Sequence, residues 1–130
     1  MFERLTEIEA KYNEIEDRMS KQETIADFDL YKKLAKERTE LKDIVDLYRE
    51  WKKKQEEIDK AFELVESDQD DEMRALARDE IAILTQDKEE IEIQLKEKLL
   101  NKQARHANSM FLEIRAGTGG EEAALFAADL

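Results

Sequence analysis

Every glycine of the chain falls in RAGTGGEEAA, at Gly117, Gly119 and Gly120, between a stretch that alternates apolar with polar residues and one rich in alanine. A strand that runs through a glycine loop into a helix N-terminus is the general geometry of phosphate binding, because free backbone N–H groups and the helix dipole both face an incoming anion. The residues of this loop oppose that use. It lacks the Lys followed by Ser or Thr of a P-loop and the GxGxxG spacing of a dinucleotide site. Glu121 and Glu122 stand in the first helical turn, where they would repel a phosphate and instead satisfy the helix's own positive end. Gly117, Thr118, Gly119, Gly120 and Glu121 are therefore read as a structural loop, a tight turn with acidic capping. A phosphate-binding enzyme built on them is the least favoured functional reading.

Few other residues could do chemistry. His106, the one histidine, lies in NKQARHANS. With no second histidine and no cysteine it has no metal-site geometry, and no serine or acid stands at a distance that would suggest a triad. No catalytic residue, metal or cofactor is expected. The absence of cysteine also excludes a disulfide framework and fits a reducing compartment. The start, MFERLTEIEAKY, is acidic from Glu3 onward without an apolar core, and no stretch approaches membrane-spanning length, so a cytoplasmic chain with no membrane partner is expected. The formal net charge is -12. Phosphate binding needs a basic face that releases counterions, so direct nucleic-acid binding is not expected.

The elements that would position the loop are long helices. Proline is absent and no glycine precedes Gly117, so nothing upstream supplies a cheap left-handed turn or a rigid break. Leu5, Ile8, Tyr12, Ile15 and Met19 follow the 3,4 spacing of a helix that packs on another helix. That helix should end near Ser20. Ser20 and Glu23 have capping-box spacing for a single turn, and Asp27 is placed to cap the next long helix. This second helix is predicted from about Phe28 to about Glu66, with Leu34, Leu41, Ile44, Tyr48, Trp51, Gln55, Ile58, Phe62 and Val65 as its seam and Gln55 the one polar member. Trp51 has two readings, a core residue or an exposed anchor for a partner, of which the core is the better supported. The acidic run from Glu66 to Glu72 reads as a solvated connection. A third helix is predicted from Asp70 as its cap, through Ala77, Ile81, Leu84, Ile91, Leu95 and Leu99, with Lys88 interrupting once.

Short connections imply antiparallel neighbours. The predicted fold is mainly α, an elongated antiparallel three-helix bundle with a helical hairpin, covering residues 1–101. Residues 102–109 are read as a linker that holds His106. From Met110 to Arg115 apolar residues alternate with Phe111, Glu113 and Arg115, the period of a strand, so residues 110–130 are expected to be the incomplete strand-loop-helix start of an α/β domain, cut short at Leu130.

The stretch FLEIRAGTGGEEAALFAADL closely resembles the opening of the central domain of bacterial-type class I peptide chain release factors, those of the factor 1 kind. Upstream, the order of FERLTEIEAKYNEIEDRM, DLYREWKKKQEEI and DDEMRALARDEI is similar to the helical N-terminal domain of that family. Where the family commonly has a proline- and aspartate-rich linker, this chain has LLNKQARHANS. The resemblance implies a role in translation termination at UAA and UAG codons, with the ribosome as partner through the stalk base of its large subunit, near the site of release factor 3. The family decodes with a Pro-x-Thr tripeptide and hydrolyses with a Gly-Gly-Gln loop, and neither occurs here. Gly119 and Gly120 precede Glu121 and are not that loop. The chain is therefore expected to be an interaction module rather than an enzyme. The other reading kept is a free-standing coiled-coil protein.

Overall fold

A computed structural model of the chain describes residues 1–67 and 70–117. These form four helices, α1 (Phe2–Met19), α2 (Gln22–Ala26), α3 (Phe28–Ser67) and α4 (Asp71–Gly117), with no strand among the described residues. The structure divides into two compact units, one spanning Met1–Lys96 and the other beginning at Glu97 within α4.

The caps explain where the helices begin. Asp27 has an extended backbone, and its Oδ1 accepts the Leu30 N–H at 3.1 Å, so α3 starts on the expected cap. Asp70 Oδ1 likewise accepts the Glu72 N–H at 3.0 Å at the head of α4, with Asp71 and Glu72 facing the positive end of the helix dipole. Ser20 departs from expectation. Its backbone is helical (φ -79, ψ -13) and its hydroxyl donates to the Asp17 carbonyl at 2.6 Å, so it closes α1. The extended N-cap of α2 is Lys21, whose side chain makes no capping bond.

In the first unit α1 buries Leu5, Ile8, Tyr12 and Ile15 and runs antiparallel to α3, as the pairs Phe2 with Trp51, Thr6 with Tyr48 and Glu16 with Arg38 require. At 1.5 Å per residue α3 is on the order of 60 Å long. Leu34, Leu41, Ile44, Tyr48 and Ile58 of its predicted seam are buried, and Val45 and Ala61 join them. Phe62 does not, being 50% exposed. Ala61, one helical turn beyond the buried Ile58, takes the inward position there instead. On α4, Ala77, Leu84, Ile91 and Leu95 are buried as expected.

Trp51 Nε1 donates to Glu92 Oε1 at 2.9 Å, and Lys88 Nζ donates to Gln55 Oε1. These pairs step four residues up one helix and four down the other, which sets α3 and α4 antiparallel. The same register brings Tyr48 level with Leu95 and, within one residue, Ile58 level with Leu84. In the second unit Leu99 is buried, while Leu100, Met110, Phe111 and Leu112 are exposed.

One expectation for the C-terminal part is corrected. Met110–Arg115, read as a strand, lie within α4, which also takes in residues 102–109, read as a linker between domains. Between Glu97 and Ala116 there is no glycine or proline to stop a helix. A helix pairs its own backbone groups, whereas a strand with no neighbour leaves them open. Alternation at Met110, Leu112 and Ile114 was thus a weaker signal than the missing partner strand. Gly117 is the last residue of α4. Thr118, Gly119, Gly120 and Glu121 lie outside the described residues, as does the helix expected after them.

Burial separates two residues that the seam pattern treated alike. Leu95→Ala, at a fully buried site, should lower stability by about 2 to 5 kcal/mol, whereas Phe62→Ala at its exposed position should cost roughly 0.5 kcal/mol or less. Urea unfolding of the two variants beside the parent chain measures the difference, and equal losses would contradict the assignment of Ala61 to the core.

Candidate functional site

Where α1, α3 and α4 meet, aromatic rings and cations are layered. Phe2 lies 4.5 Å from Trp51 between ring centroids, Trp51 stacks on Tyr48 at 6.1 Å, and Lys88 Nζ sits 4.9 Å above the Trp51 ring. Each such contact adds about 0.5 to 1.5 kcal/mol beyond area burial. Trp51 is half-buried, with its indole N–H held by Glu92. Of its two readings the core one fits better, since Phe2 and Lys88 pack against the half-buried ring and Glu92 holds its N–H. Thr6 Oγ1 donates to the Phe2 carbonyl at 3.0 Å and lies 3.0 Å from the Tyr48 hydroxyl, which leaves Tyr48 as donor to Thr6.

The α1–α3 face carries the main electrostatic cluster. Glu9, with a side chain only 16% exposed, accepts hydrogen bonds from Arg49 Nε at 3.0 Å and Lys52 Nζ at 2.6 Å. The second arm of Arg49 donates to Asn13 Oδ1 at 2.7 Å. Burial alone would raise the Glu9 carboxyl. The hydrogen bonds and charges of Lys52 and Arg49 outweigh burial and hold it below its ordinary 4.5. Arg38 and Arg49 both stand over the Tyr12 ring, at 5.3 and 5.4 Å, and Lys52 stands over Tyr48 at 4.7 Å. These cations are engaged by the bundle's own rings and carboxylates.

The arrangement is suited to holding surfaces in place, and no group in it is poised for proton transfer or nucleophilic attack. No cluster of potential metal ligands occurs among the described residues. His106 is exposed on α4, away from any linker. Of the structural-loop residues, Gly117 ends α4 and Thr118 to Glu121 are outside the described residues. Sequence reasoning treated Gln55 and Lys88 as two unrelated breaks in two seams, and the structure brings them together. Folding the two helices back symmetrically about the acidic connection would not have found this, because Gln55 stands 11 residues before Glu66 and Lys88 16 residues after Glu72. The Glu9 cluster left no comparable signal, since polar residues between seam positions look alike in a sequence with 43% charged residues.

Comparison with known proteins gives one consistent answer. The model of the PCRF domain family matches residues 8–130. The chain is 42% identical over all 130 residues to peptide chain release factor 1 of Chlorobaculum tepidum, of which it covers 36%. It is 43% identical over the same span to the proteins of that name in Dehalococcoides mccartyi and Clostridium botulinum, covering 37% and 36% of them. It therefore spans little more than a third of the length of the curated relatives it matches. No solved structure matches significantly.

Because the folded state holds Glu9 below its ordinary pKa, the cluster's stabilisation is complete above that value and is lost as pH falls through the lowered folded one. Glu9→Gln should therefore be less stable than the parent at neutral pH, and the gap should close toward acid. Urea midpoints measured across that range test this, and a gap independent of pH would mean that the Glu9 charge contributes nothing.

Proposed function

The chain belongs to the PCRF domain family, and from that premise we propose that it acts in translation termination as the helical interaction module of a class I release factor. One observation carries this reading: the matches to release factor 1 proteins, at 42–43% identity, span all 130 residues of the chain. The relatives' name concerns peptide release. The module's part in it is to hold a factor of the UAA and UAG class on the ribosome, with decoding and hydrolysis supplied by other sequence. The bundle supports this division of labour. Several of its cations, Arg38, Lys42, Arg49, Lys52 and Lys88, are engaged by Glu9, Glu16, Asp46 and aromatic rings, and the net charge of -12 opposes direct contact with RNA phosphates. A protein surface at the large-subunit stalk base, beside release factor 3, is the partner the reading assigns. Its compartment is then the cytoplasm. No helix among the described residues is long and apolar enough to cross a membrane.

A chimera tests the proposal. Replacing the matched segment of Chlorobaculum tepidum release factor 1 with this chain should leave peptide release at UAA and UAG within several-fold of the parent, while the 130-residue chain alone releases nothing. A chimera that folds but neither binds ribosomes nor releases peptide would remove the assignment, as would release by the isolated chain. A free-standing coiled-coil protein, the other class considered, gives no reason for the match to a release factor to span the whole chain.

A further inference from the structure

Besides its buried seam, α4 carries a second stripe at the same 3,4 spacing: Met73, Leu76, Glu80, Ile83, Asp87 and Glu90. Its apolar members face solvent, with Met73 44%, Leu76 63% and Ile83 61% exposed. The stripe lies wholly within the first unit. It begins near the α3–α4 connection, and the register carries Glu90 level with Lys53. α1 reaches along α3 only to the level where Phe2 meets Trp51, so most of the stripe extends past the end of α1.

A face with the spacing of a helix-packing seam, three apolar side chains and three carboxylates along it has a definite complement. We propose that this stripe of α4 docks a basic amphipathic helix of a partner protein, one with apolar residues at 3,4 spacing flanked by lysine or arginine. Charge selects this occupant. Arg74 of the same stretch is held by Asp71 and Lys88 by Gln55, while Arg78 stands about 200° around the helix from Leu76. The stripe's own carboxylates are Glu80, Asp87 and Glu90, and an RNA backbone or an anionic lipid surface would meet them with like charge. A second copy of this chain would bring another -12. A cationic helix gains twice, by burying Leu76 and Ile83 in a groove-type contact and by pairing with the flanking acids. The inference goes beyond the role in termination, because it concerns one surface and the chemistry of its partner and stands without a ribosome.

The probe is a fluorescently labelled synthetic peptide of leucines at 3,4 spacing with lysines on both flanks. Its controls are a scrambled isomer of equal charge and a version with glutamate in place of lysine. Anisotropy titration of the 130-residue chain should show binding of the first peptide alone, weakening with salt. Leu76→Gln with Ile83→Gln should weaken it about tenfold or more, the loss expected when two anchors of an interface are removed, and Phe62→Gln should not. Circular dichroism and thermal melts establish that each variant keeps its helices. Glu80→Lys with Glu90→Lys, which leaves the apolar residues in place, gives an independent second reading and should also weaken binding. Equal affinity for the scrambled peptide, or unchanged affinity in both double variants, overturns the proposal. So does self-association abolished by the Leu76 and Ile83 changes, which would give the face to a second copy. Binding of an RNA hairpin or phosphatidylserine vesicles that those changes abolish would overturn it as well.

Discussion

The fold depends on α3 being buried from two sides. One helix of 40 residues serves both neighbours, α1 along the span from Leu34 to Trp51 and α4 along the span from Tyr48 to Val65. Tyr48 and Trp51 sit where the two spans overlap. There the Phe2 ring arrives from α1 and Lys88 and Glu92 arrive from α4, so one short stretch of α3 fixes the register of both packings. An isolated helix gains little from propensity alone and takes most of its stability from the tertiary packing of its apolar face. Covering α3 from two sides is what holds so long an element as a single helix.

Apolar and polar contacts do different work in this arrangement. Fully burying a side chain such as Leu95 is worth about 1.5 to 3 kcal/mol. The ion pairs of Glu9 with Arg49 and Lys52 involve partners nearly half exposed, and such pairs contribute roughly 0 to 1 kcal/mol each. Stability therefore resides in the seams. The polar groups select among registers that the seams alone leave possible. A shift of α4 by one heptad along α3 would still set leucine near isoleucine, but it would leave Lys88 facing apolar residues and take Gln55 from its partner. A part-buried polar pair used in this way adds little stability and excludes the alternatives.

Most of this was legible in the chain. Helix spans and caps at Asp27 and Asp70 followed from side chains whose role is local, so no tertiary knowledge was needed. The 3,4 spacing located the seams, and failed at Phe62 because spacing alone does not record which of its two neighbouring helices each stretch of α3 faces, and beyond Ile58 the buried position is Ala61. Ser20 had the right neighbours for a capping box and the wrong backbone, and φ and ψ are not written in residue types. Met110 to Arg115 erred for a different reason. Alternation describes which face a strand would bury, yet a strand exists only where another backbone completes its hydrogen bonds. With no glycine or proline before Gly117, the helix already running through Leu99 is the conformation that pairs those groups within the segment itself.

The same double burial that builds the bundle also decides what it can offer outward. α3 spends most of its apolar residues on two neighbours, leaving Phe28, Tyr31, Phe62 and Leu64 exposed, while α4 presents an exposed apolar set at 3,4 spacing at Met73, Leu76 and Ile83. Because the cations nearest the core are drawn inward to Glu9, Tyr12, Tyr48 and Trp51, the charge left on that α4 stripe is carboxylate. An acidic and partly apolar outer face on α4 is thus a consequence of how the core was satisfied. An acidic, partly apolar surface of this kind repels phosphate and favours a basic protein partner, so it contributes selectivity rather than affinity alone.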